Sequence, residues 1–420
     1  MITFHLKENL GLTFLLGLLL LPAVLAPIVT HAAQEEEQAE EQKAQTQNID
    51  AVTGEILTKA IEALNADQFD AAAQAITELE MDKLSPYERG RVEQILATIA
   101  NAQEDYLGAQ AHLQAAVDSG GLNESEISQA RYQIAQLWMA QEKWKEGAAA
   151  MEEWIQTALN PNSSAYYLLA VAYYQQDLFE QALPPAQKAI ELAEKPQESW
   201  IQLVLALHLQ AEHWNEAVPL LMRLIDLYPE KKTYWVQLSS VYGQMEDFAK
   251  SLAVMQLAYN AGLIVDDAEV RRIFDLLLFN NVPYRCATLI DEALEKKLVK
   301  PDEKLYQKKA DCLIAAREYK KAIAPLRRTA ELSQNGDSFV RLGEAHIQLN
   351  EWEAAANEFR HALNKGGLKD SAYAQLMLGI SLYNQKKMSE AANWLQKAKS
   401  SSKQRRTAEG YLQLIRVQSS

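Results

Sequence analysis

An aromatic residue followed three positions later by a small residue recurs along this chain, and successive pairs lie 33 to 38 residues apart. The pairs are Phe69/Ala72, Tyr106/Ala109, Trp144/Gly147, Phe179/Ala182, Trp214/Ala217, Phe248/Ser251, Tyr284/Ala287, Tyr319/Ala322, Trp352/Ala355 and, with methionine in the aromatic position, Met388/Ala391. A period of this length predicts an array of about ten helical hairpins, because each short hairpin must bury its apolar face against the next one.

The clearest hairpin lies between Gly336 and Ala362. In each half, apolar and small residues recur at steps of three and four, which places them on one face of a helix. Gly343 and Ala355 leave room for two helices to cross closely, whereas Trp352 and Phe359 are large enough to fill the space beside the crossing. The other units are expected to repeat this arrangement.

Composition agrees with a helical chain that does not bind nucleic acid. Among 420 residues there are 16 glycines and 12 prolines, and residues with high helix propensity dominate. The formal net charge is −15. Such a charge repels nucleic acid and anionic membrane surfaces.

Motifs that carry enzymatic chemistry are missing from the sequence. It contains no glycine-rich phosphate loop, no GxSxG and no HExxH, and the seven histidines do not cluster. We therefore expect no catalytic residues, no cofactor and no metal site. His208 and His346 are interpreted as packed core or groove residues rather than as metal ligands. Cys286 and Cys312 fall on neighbouring predicted helices, so a disulfide and two independent small buried residues are both open.

The repeated residues resemble those of the tetratricopeptide repeat family. One unit carries the family pattern at Trp235, Leu238, Tyr242, Phe248 and Ala258. Others carry it at Tyr166, Leu169, Ala170, Tyr173, Phe179, Ala182 and Ala189, and at Leu378, Gly379, Leu382, Ala391 and Ala398. The resemblance implies an all-α fold, a right-handed superhelical solenoid of about ten helical hairpins over residues 53–400. It also implies a concave wall formed mostly by first helices, which binds other proteins.

Two segments depart from the repeat pattern. Between Leu263 and Pro301 the unit around Tyr284 lacks the Leu-Gly pair and has a proline in its turn, which predicts a bend or a weak joint. Residues 403–417 follow a run of serines and predict one more helix. Its apolar stripe and polar outer face are suited to cap the array.

The N-terminus is interpreted as an export sequence. Residues 1–32 have an apolar stretch and a small-residue cleavage site at Thr30-His31-Ala32, which predict a cleavable signal peptide and a periplasmic protein. The alternative is an uncleaved inner-membrane anchor facing the periplasm, because the apolar run continues to Val29. Residues 33–52 are rich in glutamate and lack a core-forming pattern, so they predict an acidic disordered tether.

The outward face of the first helices is the predicted binding surface. Its candidate residues are Tyr132, Gln136, Met139, Tyr167, Val171, Tyr174, Gln202, Leu209, Gln307, Asp311, Glu344, Ile347, Tyr373 and Tyr383. Tyrosines and amides of this kind suit an extended peptide or a partner helix. The alternative is that they only solvate the groove.

The sequence thus predicts a periplasmic, non-enzymatic scaffold for protein–protein interactions whose partners are other envelope proteins. The combination of signal, acidic tether and repeat array is similar to the periplasmic repeat proteins encoded beside TonB, ExbB and ExbD. That similarity implies assistance to TonB-dependent energy transduction for iron uptake. The alternative is an outer-membrane or cell-wall assembly factor that holds client proteins or recruits peptidoglycan enzymes.

Overall fold

A computed structural model describes residues 48–418. The predicted signal peptide and most of the predicted tether lie outside the described residues. Within 48–418 there are twenty-one α-helices, one short 3-10 helix at Met81–Lys83 and no strands. The all-α prediction is confirmed for this part of the chain. It divides into two compact units, one ending at Ala217 and the other beginning at Val218.

The helices alternate as first and second members of hairpins, and a final helix follows them. They are α1 (Ala51–Asn65), α2 (Phe69–Ile76), α3 (Pro86–Ala102), α4 (Tyr106–Asp118), α5 (Glu124–Ala140), α6 (Trp144–Thr157), α7 (Ser163–Gln175), α8 (Phe179–Leu192), α9 (Glu198–Gln210), α10 (Trp214–Leu227), α11 (Lys232–Gln244), α12 (Phe248–Asn260), α13 (Asp267–Phe279), α14 (Pro283–Glu295), α15 (Glu303–Ala315), α16 (Tyr319–Leu332), α17 (Asp337–Gln348), α18 (Trp352–Lys365), α19 (Ser371–Asn384), α20 (Met388–Ala398) and α21 (Ser402–Gln418).

The aromatic position of the sequence repeat marks where second helices begin. Nine of the ten even-numbered helices from α2 to α20 start at that residue, and α14 starts one residue earlier, at Pro283. The small residue three positions later is buried in every hairpin. It is small because the two helices cross there. A Cβ on Gly343 would lie 2.8 Å from the ring of Phe359, and one on Gly379 would lie 2.7 Å from Leu395.

The turn inside each hairpin depends on a left-handed residue that is not glycine. Ten residues at this place have φ between 56° and 63°: Asp67, Glu104, Glu142, Asp177, Glu212, Glu246, Asn281, Arg317, Asn350 and Lys386. At Asn350 the backbone N–H groups of Asn350 and Glu351 donate to Ile347 and His346, both at 2.9 Å. This pattern ends the first helix with a Schellman motif.

In the first unit, successive hairpins share buried apolar clusters. Leu57, Ala72 and Val92 belong to one cluster that joins α1, α2 and α3. Met151 and Trp154 belong to another that joins α5, α6 and α7. Each hairpin is therefore stabilised by the next, as expected for a helical repeat.

In the second unit, the largest hydrophobic cluster runs without interruption from Leu252 to Ala345. The predicted weak joint between Leu263 and Pro301 lies inside this cluster. Phe274 and Ile290, from the two helices of that hairpin, are 1% and 0% exposed. The irregular hairpin thus buries its own set of large side chains, although it lacks the Leu-Gly pair. Local weakness there stays a prediction.

The C-terminal helix α21 packs on the last hairpin of the second unit. Ala408 and Ile415 are buried in the same cluster as Leu378 and Leu395. The outward positions of α21 are mostly polar or charged, with Leu414 and Val417 exposed near its end. Among the described helices, none combines the length and the apolar character that crossing a membrane requires.

Candidate binding surface

We call the outward residues of the odd-numbered helices the first-helix face. Twelve of the predicted residues lie on it and are half-buried: Tyr132, Gln136, Tyr167, Tyr174, Gln202, Leu209, Gln307, Asp311, Glu344, Ile347, Tyr373 and Tyr383. They come from α5, α7 and α9 of the first unit and from α15, α17 and α19 of the second. Their role in binding stays a prediction.

Two predicted residues have no side-chain surface to offer a partner. Met139 is 2% exposed and Val171 is 5% exposed. Met139 packs over Gly147, where a Cβ would lie 2.7 Å from its Cγ atom. In α7 every residue from Leu169 to Ala172 is buried, so this helix is covered on more than one side. Their placement on an accessible groove is wrong, because the helical pattern does not show how many neighbours cover a helix.

In the first unit, two tyrosines of the first-helix face link neighbouring hairpins. Tyr167 of α7 stacks on Trp200 of α9, with ring centroids 5.1 Å apart and an interplanar angle of 19°. Its hydroxyl is hydrogen-bonded to Ser199. Tyr132 lies 4.6 Å from Trp154 and is hydrogen-bonded to Asn162, the residue that caps α7. Burial raises the pKa of both phenols. Part of the surface of each ring therefore contacts other residues of the protein and is not accessible to a partner.

In the second unit, polar contacts connect each first helix to the next one. Arg272 of α13 donates to Ser240 of α11 at 3.2 Å, and Lys308 of α15 pairs with Asp275 of α13 at 2.6 Å. We call these contacts, together with the two described in the next paragraph, the inter-hairpin ladder.

The ladder continues through predicted binding residues. Arg341 of α17 donates to Asp311 of α15, which also accepts from Gln307 at 3.2 Å. Tyr373 of α19 donates to Glu344 of α17 at 2.8 Å. Burial, followed by the Glu344 carboxylate, raises the pKa of Tyr373. Four of the predicted residues thus already have charged or hydrogen-bonded partners inside the fold.

Tyr383 is contacted by the C-terminal helix. Its ring meets that of Tyr411 edge-on at 5.3 Å, and Gln418 donates to its hydroxyl at 2.9 Å. This residue therefore joins α19 to α21.

Phe279 is an outward apolar residue that the sequence pattern did not identify. It is the last residue of α13, is 66% exposed and lies 4.2 Å from the ring of Phe248. It precedes the left-handed turn residue Asn281 by two positions, as Gln348 precedes Asn350. Its outward position could have been inferred from its place in the repeat. It was missed because this hairpin lacks the regular pattern.

The cysteines and histidines have structural partners. Cys286 of α14 and Cys312 of α15 form a disulfide that joins two successive hairpins, and both are fully buried. His208 and His346 are buried, as predicted, at 5% and 7% exposure. His346 lies 2.6 Å from a Glu351 carboxylate oxygen. Within residues 48–418, no group of three or more His, Cys, Asp or Glu side chains is arranged to hold a metal ion.

Two protein-family models match segments of the repeat array. One tetratricopeptide repeat model matches residues 96–164 and 340–405, and a second tetratricopeptide repeat model matches residues 163–196. No curated protein matches the chain.

Several solved structures resemble the chain at low identity. A tetratricopeptide repeat protein from Parabacteroides merdae is 14% identical, with 70% of this chain and 99% of that one covered and a TM-score of 0.34. YrrB, described as a TPR protein with an unusual peptide-binding site, is 19% identical over 45% of this chain and 90% of its own, with a TM-score of 0.36. MamA from Desulfovibrio magneticus RS-1 is 15% identical over 44% and 99%, with a TM-score of 0.37.

The family models match segments of both units, and they match where the buried small residues and hairpin turns recur. Such repeats are typical of scaffolds for protein–protein interaction and are not typical of enzymes. These matches support the resemblance inferred from the sequence, because tetratricopeptide repeats are matched in segments of both units.

Proposed function

We propose that this protein is an exported, non-enzymatic scaffold that holds a segment of another envelope protein on its first-helix face. The observation that carries the proposal is the chemistry of that face in the first unit. Tyr174, Gln136 and Gln202 are half-buried there, on three successive first helices. Aromatic rings contribute contact area at a low cost in side-chain entropy, and amides donate and accept hydrogen bonds with a bound polypeptide.

The disulfide supports export from the cytoplasm. Cys286 and Cys312 are the only cysteines of the chain. Bonds between cysteines form and persist in oxidising compartments, whereas cytosolic proteins keep their thiols reduced. Together with the apolar stretch of residues 1–32, this favours a periplasmic protein. We propose that this stretch is a cleavable signal peptide, with an uncleaved inner-membrane anchor as the alternative.

Assistance to TonB-dependent iron uptake is the specific role that we propose. It rests on the similarity between the arrangement of this chain and the repeat proteins encoded beside TonB, ExbB and ExbD. Removing the gene should impair growth on chelated iron and leave growth on free iron unchanged. Impaired growth on both media, or altered cell shape, would favour the alternative role in envelope assembly instead.

Site-specific crosslinking in cells tests the binding proposal directly. A photoreactive amino acid at Gln136, on the first-helix face, should capture a defined envelope protein. The matched control is Gln181, which is exposed on the second helix α8 of the same unit. Equal capture from both positions, or none from Gln136, would contradict binding at the first-helix face. The identity of the captured protein distinguishes a TonB-system component from an assembly client or a wall enzyme.

A further inference from the structure

Charged residues of opposite sign collect in the first hairpin and in the last helices of the described chain. Residues 50–83, which contain α1 and α2, have eight acidic and two basic side chains. Residues 386–418, which contain α20 and α21, have eight basic and two acidic side chains. The whole chain has a formal net charge of −15, so the basic segment runs against its composition.

In the first hairpin, the carboxylates exceed the cations that could neutralise them. Both lysines of residues 50–83 are already paired, Lys59 with Glu55 at 3.2 Å and Lys83 with Glu80 at 2.7 Å. Glu62 of α1 is exposed and has no ion-pair partner among residues 48–418. The hairpin therefore presents unneutralised negative charge to solvent.

The last helices show the reverse excess. Glu409 pairs with Lys399 at 3.0 Å, and Glu390 pairs with an arginine of α18, also at 3.0 Å. Lys403 and Arg406 are exposed, and neither has an ion pair in the part of the chain that the structure describes. Positive charge on α21 is therefore left without a counter-charge.

One exposed face of α1 joins an apolar residue to the acidic charge. Within residues 48–418 no helix precedes α1 and none follows α21, so each has a face that no hairpin covers. Val52, Glu55, Lys59 and Glu62 follow one another at steps of three and four on α1, and all are exposed. Glu62 lies in the last turn, where the negative end of the helix dipole disfavours a carboxylate.

The exposed face of α21 has the complementary arrangement. Lys403, Arg406, Gly410, Leu414 and Val417 follow one another at steps of three and four, and all are exposed. The two cations lie near the beginning of the helix, where the positive end of its dipole disfavours them. A Cβ on Gly410 would meet nothing within 4 Å. No contact in the described chain requires glycine there, although glycine inside a helix lowers stability.

We propose that α1 of one copy of this protein packs antiparallel on α21 of a second copy. In this orientation Val52 lies against Leu414 and Val417. At the other end of the contact, Glu62 lies against Arg406. Both matches occur together because the apolar and charged ends are ten residues apart on α1 and eleven on α21, about 15–17 Å along each helix.

Antiparallel packing removes what is unfavourable in each helix alone. The carboxylate at the negative end of α1 meets the cations and the positive dipole end of α21, and these cations meet the negative end of α1. Gly410 lies between the cationic and apolar ends of its face, where a missing side chain lets two helix backbones approach closely. The contact therefore explains the misplaced charges and the exposed glycine together.

The two surfaces differ, so the contact is heterologous. A copy that uses its α1 keeps its α21 available, and a copy that uses its α21 keeps its α1 available. Repetition of the contact therefore adds further copies and leads to a ring or a filament. This association goes beyond the scaffold function proposed above and does not depend on it.

Sedimentation velocity of the purified, disulfide-bonded protein tests the inference. We expect species larger than a dimer that increase with protein concentration. They should diminish as the salt concentration rises, because salt screens the charges at the contact. Gly410→Leu should also weaken the association, because it fills the crossing of the helices without changing any charge.

Charge reversals locate the two surfaces. Arg406→Glu and Glu62→Lys should each weaken self-association about tenfold or more, because like charges then meet. An equal mixture of these two variants should associate again, because the original pair forms between them and the two introduced charges also attract. Matched controls are Arg131→Glu on α5 and Glu180→Lys on α8, both at exposed positions. They should associate like the parent, and circular dichroism establishes that all variants are folded.

Three results would overturn the inference. The first is a protein that stays monomeric at every concentration. The second is self-association that Arg406→Glu or Glu62→Lys leaves unchanged, or a mixture of the two that stays dissociated. The third is sedimentation of the monomer with phosphatidylglycerol vesicles, which would assign the basic residues of α21 to an anionic membrane surface instead.

Discussion

Ser239 and Ser251 hydrogen-bond to each other where α11 crosses α12, with their hydroxyl oxygens 2.9 Å apart. Each hydroxyl also lies within hydrogen-bonding distance of the backbone carbonyl of the other residue, at 3.1 Å and 2.8 Å, and its single hydrogen is donated to one of these two acceptors at a time. Both residues are fully buried. Most other hairpins place alanine or glycine at this crossing, so this one replaces apolar contact with a reciprocal polar pair.

Removing both members of this pair should cost less than the sum of removing each one alone. Ser251→Ala should lower the free energy of unfolding by about 1–2 kcal/mol, because Ser239 keeps a buried hydroxyl with fewer partners. The Ser239→Ala, Ser251→Ala double variant should be clearly less destabilised than the sum of the two single variants. Urea unfolding of the parent protein, the two single variants and the double variant measures these free energies. Additive effects would show that the two hydroxyls act independently.

Gly343 should tolerate no side chain. A Cβ there would lie 2.8–2.9 Å from three ring atoms of Phe359. Gly343→Ala should therefore destabilise the protein by about 1–3 kcal/mol, despite the higher helix propensity of alanine. Gly410 of α21 is the matched control, because a Cβ there meets nothing within 4 Å. Gly410→Ala should stabilise by about 0.5–1 kcal/mol in the same denaturation assay. Similar effects at both sites would contradict the close crossing.

The left-handed hairpin turns should be stabilised by glycine. Glu142 has φ 57°, which is unfavourable for a residue with a Cβ. Glu142→Gly should raise the free energy of unfolding by about 1 kcal/mol, because glycine adopts this conformation freely. Ala149→Gly, at an exposed position in the middle of α6, should lower it by about 1 kcal/mol. A destabilised Glu142→Gly protein would show that the side chain contributes more than the backbone.

The buried His208 should make stability fall in mild acid. Burial lowers its pKa, His213 lowers it further, and Glu216 opposes both. Because the folded state then binds fewer protons than the unfolded state, stability decreases as pH falls through the unfolded value of about 6.5. Gln187 contacts the Nε2 atom, and Nδ1 is buried without a hydrogen-bond partner.

The urea midpoint measured between pH 8 and pH 5.5 checks this effect. The decrease should be smaller in His208→Gln than in the parent protein, because glutamine does not titrate. Parallel curves for the two proteins would rule out a contribution from His208.

The disulfide should stabilise the second unit. It closes a loop with a sequence separation of 26 residues. Replacing both cysteines by alanine should lower the free energy of unfolding by roughly 3 kcal/mol, since the unfolded chain regains the entropy of that loop. Treating the parent protein with reductant during unfolding should reproduce the loss, and the same treatment should leave the double variant unchanged. Alkylation without reduction should label neither cysteine of the exported protein.

The sequence predicted the repeats closely because each hairpin encodes its own register. The aromatic residue begins the second helix, and the small residue three positions later enters the crossing. These are local relations within one hairpin and its neighbour. Helical periodicity reports them directly.

Accessibility was harder to predict than helix position. Periodicity identified the outward side of α5 and α7 but placed Met139 and Val171 there, although both are buried. The pattern shows which face of a helix is apolar, whereas burial depends on how many other helices cover it. The exposure of Phe279 in the irregular hairpin was not predicted from the pattern either.

By itself, the sequence determined an all-α chain of stacked helical hairpins, the aromatic residues at which second helices begin, and the buried small residues. The tertiary structure decided which cysteines meet, which tyrosines join neighbouring hairpins, and which charged residues form the inter-hairpin ladder. It also showed that acidic, basic and amide residues take the left-handed turn conformation. The disulfide, the tyrosine contacts and the ladder depend on side chains about thirty residues apart, for which helical periodicity carries no signal.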